Sequence, residues 1–390
     1  MKKVSPVKNT RVIGAALTAA AMFLPSSRPA MADAAPEKGI VAFKYLNYKD
    51  SQPEIDRMDI NAYTLRVMTP VAGKWAIDVT GTLDSITGAS PHYHTHFDTT
   101  TSASGPAGCL KPDTRRSVDL SVTRYFPTAS VTGGTSYSEE SDYISRNVSL
   151  QGSISNASKN TTVTLGGSAT TDSIYPNNLE ESFRKKTYVA FIGVTQVMSK
   201  NDIVQVNLSR SLGEGYFSDP YKTLDERPKH RNYGTLMGRW NHYFDSSEGV
   251  LKLSYRYYDD TYGINSHTLS AEYVQPLPMG FTIMPSIRYY SQNAAKFYVP
   301  VGDIEADDPT DPASSVPVDA VIYSLDQRLS AFGAVTLGLK VSRKFANDWL
   351  VDVRYDHYMQ RYDWGISGKG DAHLDEFNAG FLQIGLSKEF

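Results

Sequence analysis

Apolar and polar side chains alternate with a period of two along most of this sequence, and this alternation is its strongest constraint on the fold. Between residues 75 and 84, tryptophan, isoleucine, valine and leucine occupy odd positions, whereas aspartate and threonine occupy even ones. The same split recurs at 204–209, 251–257, 335–342 and 349–356. Because successive side chains of a strand face opposite sides of a sheet, each segment predicts a strand with one apolar and one polar face.

Two kinds of all-β fold accommodate such strands. A soluble sandwich or β-helix turns the apolar face into a core, whereas a membrane barrel turns it toward lipid. Strands of about ten residues or more, aromatic residues near strand ends, and an alternation of short and long connections favour the barrel. The mean hydropathy of −0.36 agrees with this interpretation, because only every second strand residue needs to be apolar. The sequence therefore predicts an antiparallel transmembrane β-barrel.

The connections between strands predict the strand number and the orientation. Short turns are expected at 70–73, 126–128, 155–158, 199–202, 245–249, 276–280 and 346–348. Long connections are expected at 87–114, 172–184, 214–230, 294–329 and 362–376. Outer-membrane barrels place short turns in the periplasm and long loops outside. With a first strand near 39–48 and a last strand at 377–390, this rule predicts about sixteen strands.

The N-terminal residues predict export. A basic segment at 1–11 precedes a mostly apolar segment at 12–24, and 30–32 supplies the small residues that a signal peptidase accepts. The apolar segment is too short to cross a bilayer comfortably. We therefore expect a signal peptide at 1–32 and a mature barrel at 33–390, in the outer membrane of a two-membrane (Gram-negative) bacterium.

The C-terminal strand carries a second export feature. Leu382, Ile384 and Leu386 alternate toward a terminal Phe390, which resembles the signal that the barrel-assembly machinery reads on its clients. Lys388 departs from that signal, because an aromatic residue is usual there. Phe390 is the predicted assembly signal.

The mature chain resembles an exported bacterial family catalogued as domain-of-unknown-function family 3570. The resemblance covers nearly all of the mature chain. It lies in YKDSQP at 48–53, SITGASP at 85–91, VTRYF at 122–126, GYFSDPYK at 215–222, RWNH at 239–242, LSYRYY at 253–258, PSIRYYSQ at 285–292 and DQRLSAFG at 326–333. The resemblance implies an outer-membrane-like barrel and leaves the activity open.

A histidine cluster in the first long connection is the sharpest candidate site. His92, His94, His96 and Asp98 stand at alternate positions, so an extended segment turns all four side chains the same way. Imidazole and carboxylate groups suit zinc, copper or nickel, and such a site would be labile. The alternative is a polar loop whose histidines contact only water. Cys109, the single cysteine, follows in the same connection and is a weaker candidate ligand.

An acidic segment in the 294–329 connection is a second candidate site. Its carboxylates belong to Asp303, Glu305, Asp307, Asp308 and Asp311. They could hold calcium or bridge divalent ions to lipopolysaccharide, although they lack the spacing of an EF-hand loop. Three prolines in the same stretch favour a solvated, partly disordered loop, and a loop that folds inward and narrows the pore is a further alternative.

Charged residues on the polar faces of the strands are the third group. Strand parity alone places eight of them in the lumen: Asp78, Asp84, Asp119, Lys252, Arg256, Lys340, Arg354 and Asp356. The acidic members lie mostly on early strands and the basic members on later ones. They could form a transverse field that orients a solute, or ordinary salt bridges that stiffen the wall.

The expected function follows from this architecture. The near-neutral formal charge of −3 argues against a nucleic-acid partner. Ser266 and His267 are adjacent and would face opposite sides of a strand, and no familiar catalytic motif is present, so no enzymatic activity and no tightly bound cofactor are expected. We expect passage of a small solute or metal species. The alternative is a non-conducting scaffold or receptor for an external ligand or a periplasmic redox or assembly partner.

Overall fold

The computed structural model describes residues 34–53, 55–88, 113–177, 179–222, 224–300, 319–368 and 370–390. Its strands are β1 (Ile40–Gln52), β2 (Ile55–Val71), β3 (Trp75–Gly88), β4 (Asp113–Tyr125), β5 (Ala129–Glu139), β6 (Tyr143–Ser155), β7 (Thr161–Ile174), β8 (Phe183–Val197), β9 (Asp202–Gly215), β10 (Asp225–Glu226), β11 (His230–Phe244), β12 (Gly249–Asp260), β13 (Asn265–Pro276), β14 (Phe281–Gln292), β15 (Tyr323–Ser324), β16 (Phe332–Lys344), β17 (Trp349–Arg361) and β18 (Phe377–Glu389). Short 3-10 helices lie at Pro278–Gly280, Gln327–Leu329 and Ala346–Asp348.

Sixteen of these strands form a closed antiparallel barrel. Each pairs with the next along the chain, β10 and β15 form a separate two-stranded sheet, and β1 closes the ring against β18. The expectation of about sixteen strands is confirmed. The first strand is longer than expected, because β1 remains paired as far as Ser51 with β18 and as far as Gln52 with β2.

The outer surface of the barrel is apolar. Leu150 and Leu165 are each 63% exposed, and Leu208, Ile287 and Tyr355 are exposed in the same way on other strands. A soluble sandwich would bury these side chains, whereas lipid solvates them. The fold is thus a transmembrane β-barrel. No helix within the described residues is long and apolar enough to cross a membrane.

The connections divide the barrel into a short-turn end, which also holds residues 39 and 390, and a long-loop end. At the short-turn end, Ala72 and Gly73 have φ angles of 51° and 62°, and the Lys74 amide donates to the Val71 carbonyl at 3.3 Å. Two successive left-handed residues define the tight hairpin turn whose twist matches the flanking strands. Such turns keep this end compact.

Aromatic rings and cations pack together on the outer surface at the short-turn end. The Arg124 guanidinium lies 4.7 Å from the ring centre of Trp75 and 5.1 Å from that of Phe126. Arg343 lies 4.7 Å from the ring centre of Phe281 and equally far from that of Phe345. Aromatic girdles at the membrane–water boundary are characteristic of these barrels, so this ring of contacts marks one edge of the membrane zone.

Apolar packing inside the barrel is concentrated toward the long-loop end. Tyr48, Met58, Ile60 and Ala379 form one buried cluster on β1, β2 and β18. A second cluster of Tyr262, Ile264, Ala295 and Leu329 lies where loops meet the wall. Buried apolar side chains therefore line part of the interior near the long-loop end.

Candidate functional site

The lumen contains a cavity of 530 Å³ against the wall formed by β1 to β6. Hydroxyl and amide side chains dominate its lining: Thr64, Thr80, Thr82, Ser121, Ser136, Ser149, Asn147 and Gln383. Lys44, Arg66, Asp78 and Asp119 add charge to the same wall. A lining of this kind holds water and hydrogen-bonds a polar solute without selecting one chemical group.

Two of the three acidic residues predicted on early strands lie in ion pairs. Asp78 accepts bonds of 3.0 and 2.9 Å from Nε of Arg66 on the neighbouring strand. Asp84 lies 3.3 Å from Nε of Arg115, and both side chains are almost fully buried. Asp119 also lines the cavity, and its Oδ2 is buried without a hydrogen-bond partner among the described residues.

The predicted charges on later strands form a second set of pairs. Lys252 lies 2.9 Å from Glu272, and Lys340 lies 3.2 Å from Asp352. Arg354 lies 2.6 Å from Asp356 and 3.8 Å from Glu272. These distances favour the salt-bridge interpretation of the predicted charges over a simple transverse field, because most of the charge is neutralised within the wall.

Arg256 is the exception within that set. It lies inside the barrel, is exposed to water there, and donates no hydrogen bond to the described residues. Asp352 lies on the polar side of the predicted 349–356 strand but is not among the eight predicted charges. Arg66, Arg115 and Glu272 also occupy inward positions, on strands whose alternation is less regular. Reading the parity of every strand, instead of the most regular ones, would have found them.

Two of the long connections fold together over the long-loop end. We call residues 216–222, 224–229 and 319–331 the lid. Within it, β10 pairs with β15 through Asp225 opposite Ser324 and Glu226 opposite Tyr323. The Ser324 hydroxyl donates to the Asp225 carboxylate, and the Asp225 carboxylate accepts from the Asp219 amide at 2.6 Å. The lid is therefore an ordered structure built from both connections.

A buried ion network holds the lid together. Asp326, whose side chain is fully buried, lies 2.5 Å from Arg227 and 3.5 Å from Lys222, and it also contacts Arg328. Arg328 in turn lies 2.9 Å from Asp219. One carboxylate thus contacts three cations, which a low-dielectric site tolerates only when the geometry satisfies all of them.

The network controls the ionisation of its central carboxylate. Burial by itself raises the pKa of Asp326, but attraction to Arg328, Lys222 and Arg227 outweighs burial and holds the pKa well below its ordinary value. Burial also raises the pKa of the Tyr221 hydroxyl, and its hydrogen bond to Asp142 raises it further. Both groups therefore keep one protonation state throughout the neutral range.

The lid reaches across the barrel. The Tyr221 hydroxyl donates to Asp142 at 2.6 Å and accepts from the Asn177 amide at 3.1 Å. Asp142 belongs to the turn between β5 and β6, whereas Asp326 belongs to the connection between β14 and β16, which is eight strands away in the ring. The lid therefore spans the long-loop end from one side to the other. Tyr298 also donates to Asp371 at 3.0 Å, which joins the connection between β17 and β18 to this assembly.

Several predicted site residues lie outside the described part of the chain. They are His92, His94, His96 and Asp98, Cys109, and Asp303, Glu305, Asp307, Asp308 and Asp311. The predicted signal peptide at 1–32 lies outside it too. Among the residues that the structure does describe, no group of three or more histidine, cysteine and acidic side chains could hold a metal ion.

The terminal Phe390 packs at the barrel seam. Its amide donates to the Gly39 carbonyl at 3.0 Å, and its own carbonyl accepts from the Gly39 amide at 2.8 Å. A β-carbon on residue 39 would lie 2.5 Å from the phenylalanine ring, so a larger residue there would displace the Phe390 side chain. Lys388, the departure from the usual C-terminal signal, lies over the ring of Trp349 at 5.3 Å.

Comparison with known families places this barrel in one of them. The family described as "Protein of unknown function (DUF3570)" matches residues 14–381. The chain belongs to this family, and the resemblance noted in the sequence is confirmed. The comparison with curated proteins finds no match.

Solved structures of other barrels share the general architecture. A bacterial polysaccharide outer membrane secretin is similar at 8% identity and a TM-score of 0.49, over 90% of this chain and 98% of that one. CdiB from Acinetobacter baumannii is similar at 10% identity and a TM-score of 0.49, over 89% and 60%. OccK1 (OpdK) from Pseudomonas aeruginosa is similar at 8% identity and a TM-score of 0.45, over 90% and 98%. At such low identities and scores these likenesses carry no functional argument.

Proposed function

We propose that this protein is a channel-like protein of the bacterial outer membrane that passes a small polar solute, with the lid narrowing its mouth. The proposal depends on the access of water to the lumen. Arg256 and Arg288 point into the barrel and are exposed there, and a cavity of 530 Å³ lies against the opposite side of the lumen. About sixteen strands leave space for an aqueous lumen unless loops fill it. The proposal includes no catalytic step.

Conductance in planar bilayers tests the proposal. Protein folded in detergent, with its folded state checked by a heat-modifiable gel shift, should give a steady current. A variant in which a Gly-Ser linker replaces residues 217–227 should conduct more, because the lid residues of that segment cross the mouth. A folded barrel without current in either form would refute the proposal.

The lid itself favours a second candidate, a non-conducting barrel that presents its loops to an external ligand or holds a periplasmic partner. A passive filter does not require an ordered loop assembly with a buried ion network, whereas a surface that binds a ligand or partner benefits from fixed loops. A silent wild-type barrel that remains silent without residues 217–227 would support this candidate. Wild-type current would exclude it.

A narrower form of the proposal concerns metal species. His92, His94, His96 and Asp98 remain a candidate labile site for zinc or copper, as the sequence predicts. Metal titration of the folded protein should show stoichiometric binding that disappears when the three histidines are changed to alanine. Equal binding by both proteins would remove the histidine site from consideration.

Location and assembly are part of the same proposal. The apolar belt would contact outer-membrane lipid and lipopolysaccharide, with the short-turn end in the periplasm. Phe390 would be the residue that the barrel-assembly machinery reads. Deleting Phe390 should lower the amount of heat-modifiable barrel in the outer membrane while leaving in vitro folding in detergent largely intact.

A further inference from the structure

Three arginines lie inside the barrel within four successive strands, and we call them the arginine patch: Arg239 on β11, Arg256 on β12 and Arg288 on β14. Arg239 is opposite Ser254, Ser254 is opposite Ser270, and Ser270 is opposite Arg288, so the first and third arginines share one row of the sheet. Arg256 lies two residues beyond Ser254, toward the long-loop end. The three side chains therefore surround one area of the wall.

The inward direction of these arginines follows from their neighbours. Trp240, Tyr255 and Ile287 are 39%, 45% and 51% exposed on the lipid face. Each is adjacent in sequence to one of the three arginines. Because successive side chains alternate between the faces, the arginines point into the lumen. Arg256 and Arg288 are nevertheless exposed, so water in the lumen reaches them.

The patch differs from most other cations of the wall in its lack of counter-charges. Arg66, Lys252, Lys340 and Arg354 each contact a carboxylate in the lumen. Within the described part of the chain, none of the three arginines of the patch forms an ion pair or donates a hydrogen bond.

Hydroxyl groups complete the surroundings of the patch. Thr268 lies opposite both Arg256 and Tyr290, on the strand between them. Its Oγ1 is buried and has no hydrogen-bond partner among the described residues. A threonine hydroxyl can donate a hydrogen bond to an oxyanion, so Thr268 adds a donor beside Arg256.

We propose that the arginine patch is an anion-binding site that selects small solutes carrying a carboxylate or phosphate group. Guanidinium groups bind both oxyanions through paired hydrogen bonds, and three of them without internal carboxylates leave a local excess of positive charge. Charged side chains lining a pore favour ions of the opposite sign. As a selectivity site the patch rests on the proposed channel function, whereas as a binding site it does not.

The opposite wall gives the bound solute a second contact. In the ring of sixteen strands, β2 to β5 lie across from β11 to β14. Their inward side chains are mostly hydroxyl groups, and Asp119 adds a carboxylate. When the anionic group of a small solute binds the patch, the polar remainder of the solute would therefore face these hydroxyl groups. Asp119 would repel a second anionic group on the same solute.

Ion selectivity in planar bilayers tests the patch as a filter. Under a potassium chloride gradient, the wild-type reversal potential should indicate anion preference. The triple variant R239Q/R256Q/R288Q should lower the anion-to-cation permeability ratio by about threefold or more. The control K74Q/K159Q/K200Q removes the same charge from the short turns, outside the lumen, and should retain the wild-type ratio.

Phosphate binding tests the patch independently of conduction. Titration calorimetry of inorganic phosphate into folded wild-type protein should show binding that weakens by about tenfold in R239Q/R256Q/R288Q and stays unchanged in the control variant. A conducting barrel with equal selectivity and equal phosphate affinity in all three proteins would overturn the inference. A silent barrel whose phosphate binding depends on the patch would retain the anion site and refute only the proposed channel function.

Discussion

The lid and the barrel wall both contain networks of ion pairs, yet their surroundings differ. In the lid, the side chains of Asp326 and Lys222 are 0% and 2% exposed. In the wall, those of Lys252 and Glu272 are 26% and 27% exposed to the lumen. An ion pair in contact with water contributes little to the free energy of folding. Removing one partner from a buried ion network costs much more, because a charge is then left buried without compensation. The lid network therefore determines loop structure, whereas solvated wall pairs such as Lys252–Glu272 mainly tune the charge of the lumen.

Removal of the central lid carboxylate should have the largest effect. Asp326→Ala leaves the buried cations Arg227 and Lys222 without their common partner, which should destabilise the lid by about 3–5 kcal/mol. Hydrogen exchange of the amides at 224–229 and 319–331 should then accelerate strongly. Asp319→Ala, at an exposed residue of the same connection, is the matched control and should leave exchange unchanged. Equal protection in both variants would contradict the network.

Loss of the cross-barrel hydrogen bond should have a smaller effect. Tyr221→Phe removes the hydroxyl that donates to the Asp142 carboxylate, and bonds to charged groups contribute about 1.5–3 kcal/mol. Exchange of the amides at 216–222 should accelerate without loss of the β10–β15 pairing. Tyr175→Phe, at a 49% exposed residue of the same end, serves as the control. No difference between the two variants would show that the lid does not depend on this bond.

A wall pair should matter least for stability. Lys252→Met removes one partner of Glu272, which keeps Arg354 at 3.8 Å in a wet lumen. We expect a cost of no more than about 1 kcal/mol in urea unfolding of the detergent-folded protein, because solvated pairs contribute little. If Lys252→Met lowered stability as much as Asp326→Ala does, the proposed difference between the lid network and the wall pairs would be wrong.

Mild acidification should not open the lid. The folded pKa of Asp326 is lowered, so its stabilising contribution is present above its ordinary pKa of 3.8 and is lost only as the pH falls through the still lower folded value. Exchange of the lid amides, corrected for the intrinsic pH dependence, should therefore be the same at about pH 8 and about pH 5. Faster corrected exchange at the lower pH would mean that a different group controls the lid.

The alternation of side chains was sufficient to predict the wall. Lipid-facing Leu150, Leu208 and Ile384 follow from parity, since a strand gives each residue one of two directions. Parity does not predict which side chain on a neighbouring strand an inward charge will contact. Asp78 was predicted on the correct early strand, but its neutralisation by Arg66 depends on the register between β2 and β3.

The lid could not be predicted from local pattern. Asp142 and Tyr221 are 79 residues apart, and Arg227 and Asp326 are 99 apart. No periodicity relates residues in irregular connections, and a charged, proline-containing loop has the same composition whether it is solvated or folded. The sequence predicts the 214–230 connection only as a long loop, and inward folding of the 294–329 connection only as one alternative.

The sequence by itself determined that the chain forms a barrel with an apolar exterior and a polar interior, because strand geometry converts a period of two directly into two faces. It also determined the family. Only the tertiary structure decided which inward charges meet a counter-charge, which three arginines do not, and that two distant loops close over one end. Those outcomes depend on strand register and ring closure, which place residues far apart in sequence within a few ångströms of one another.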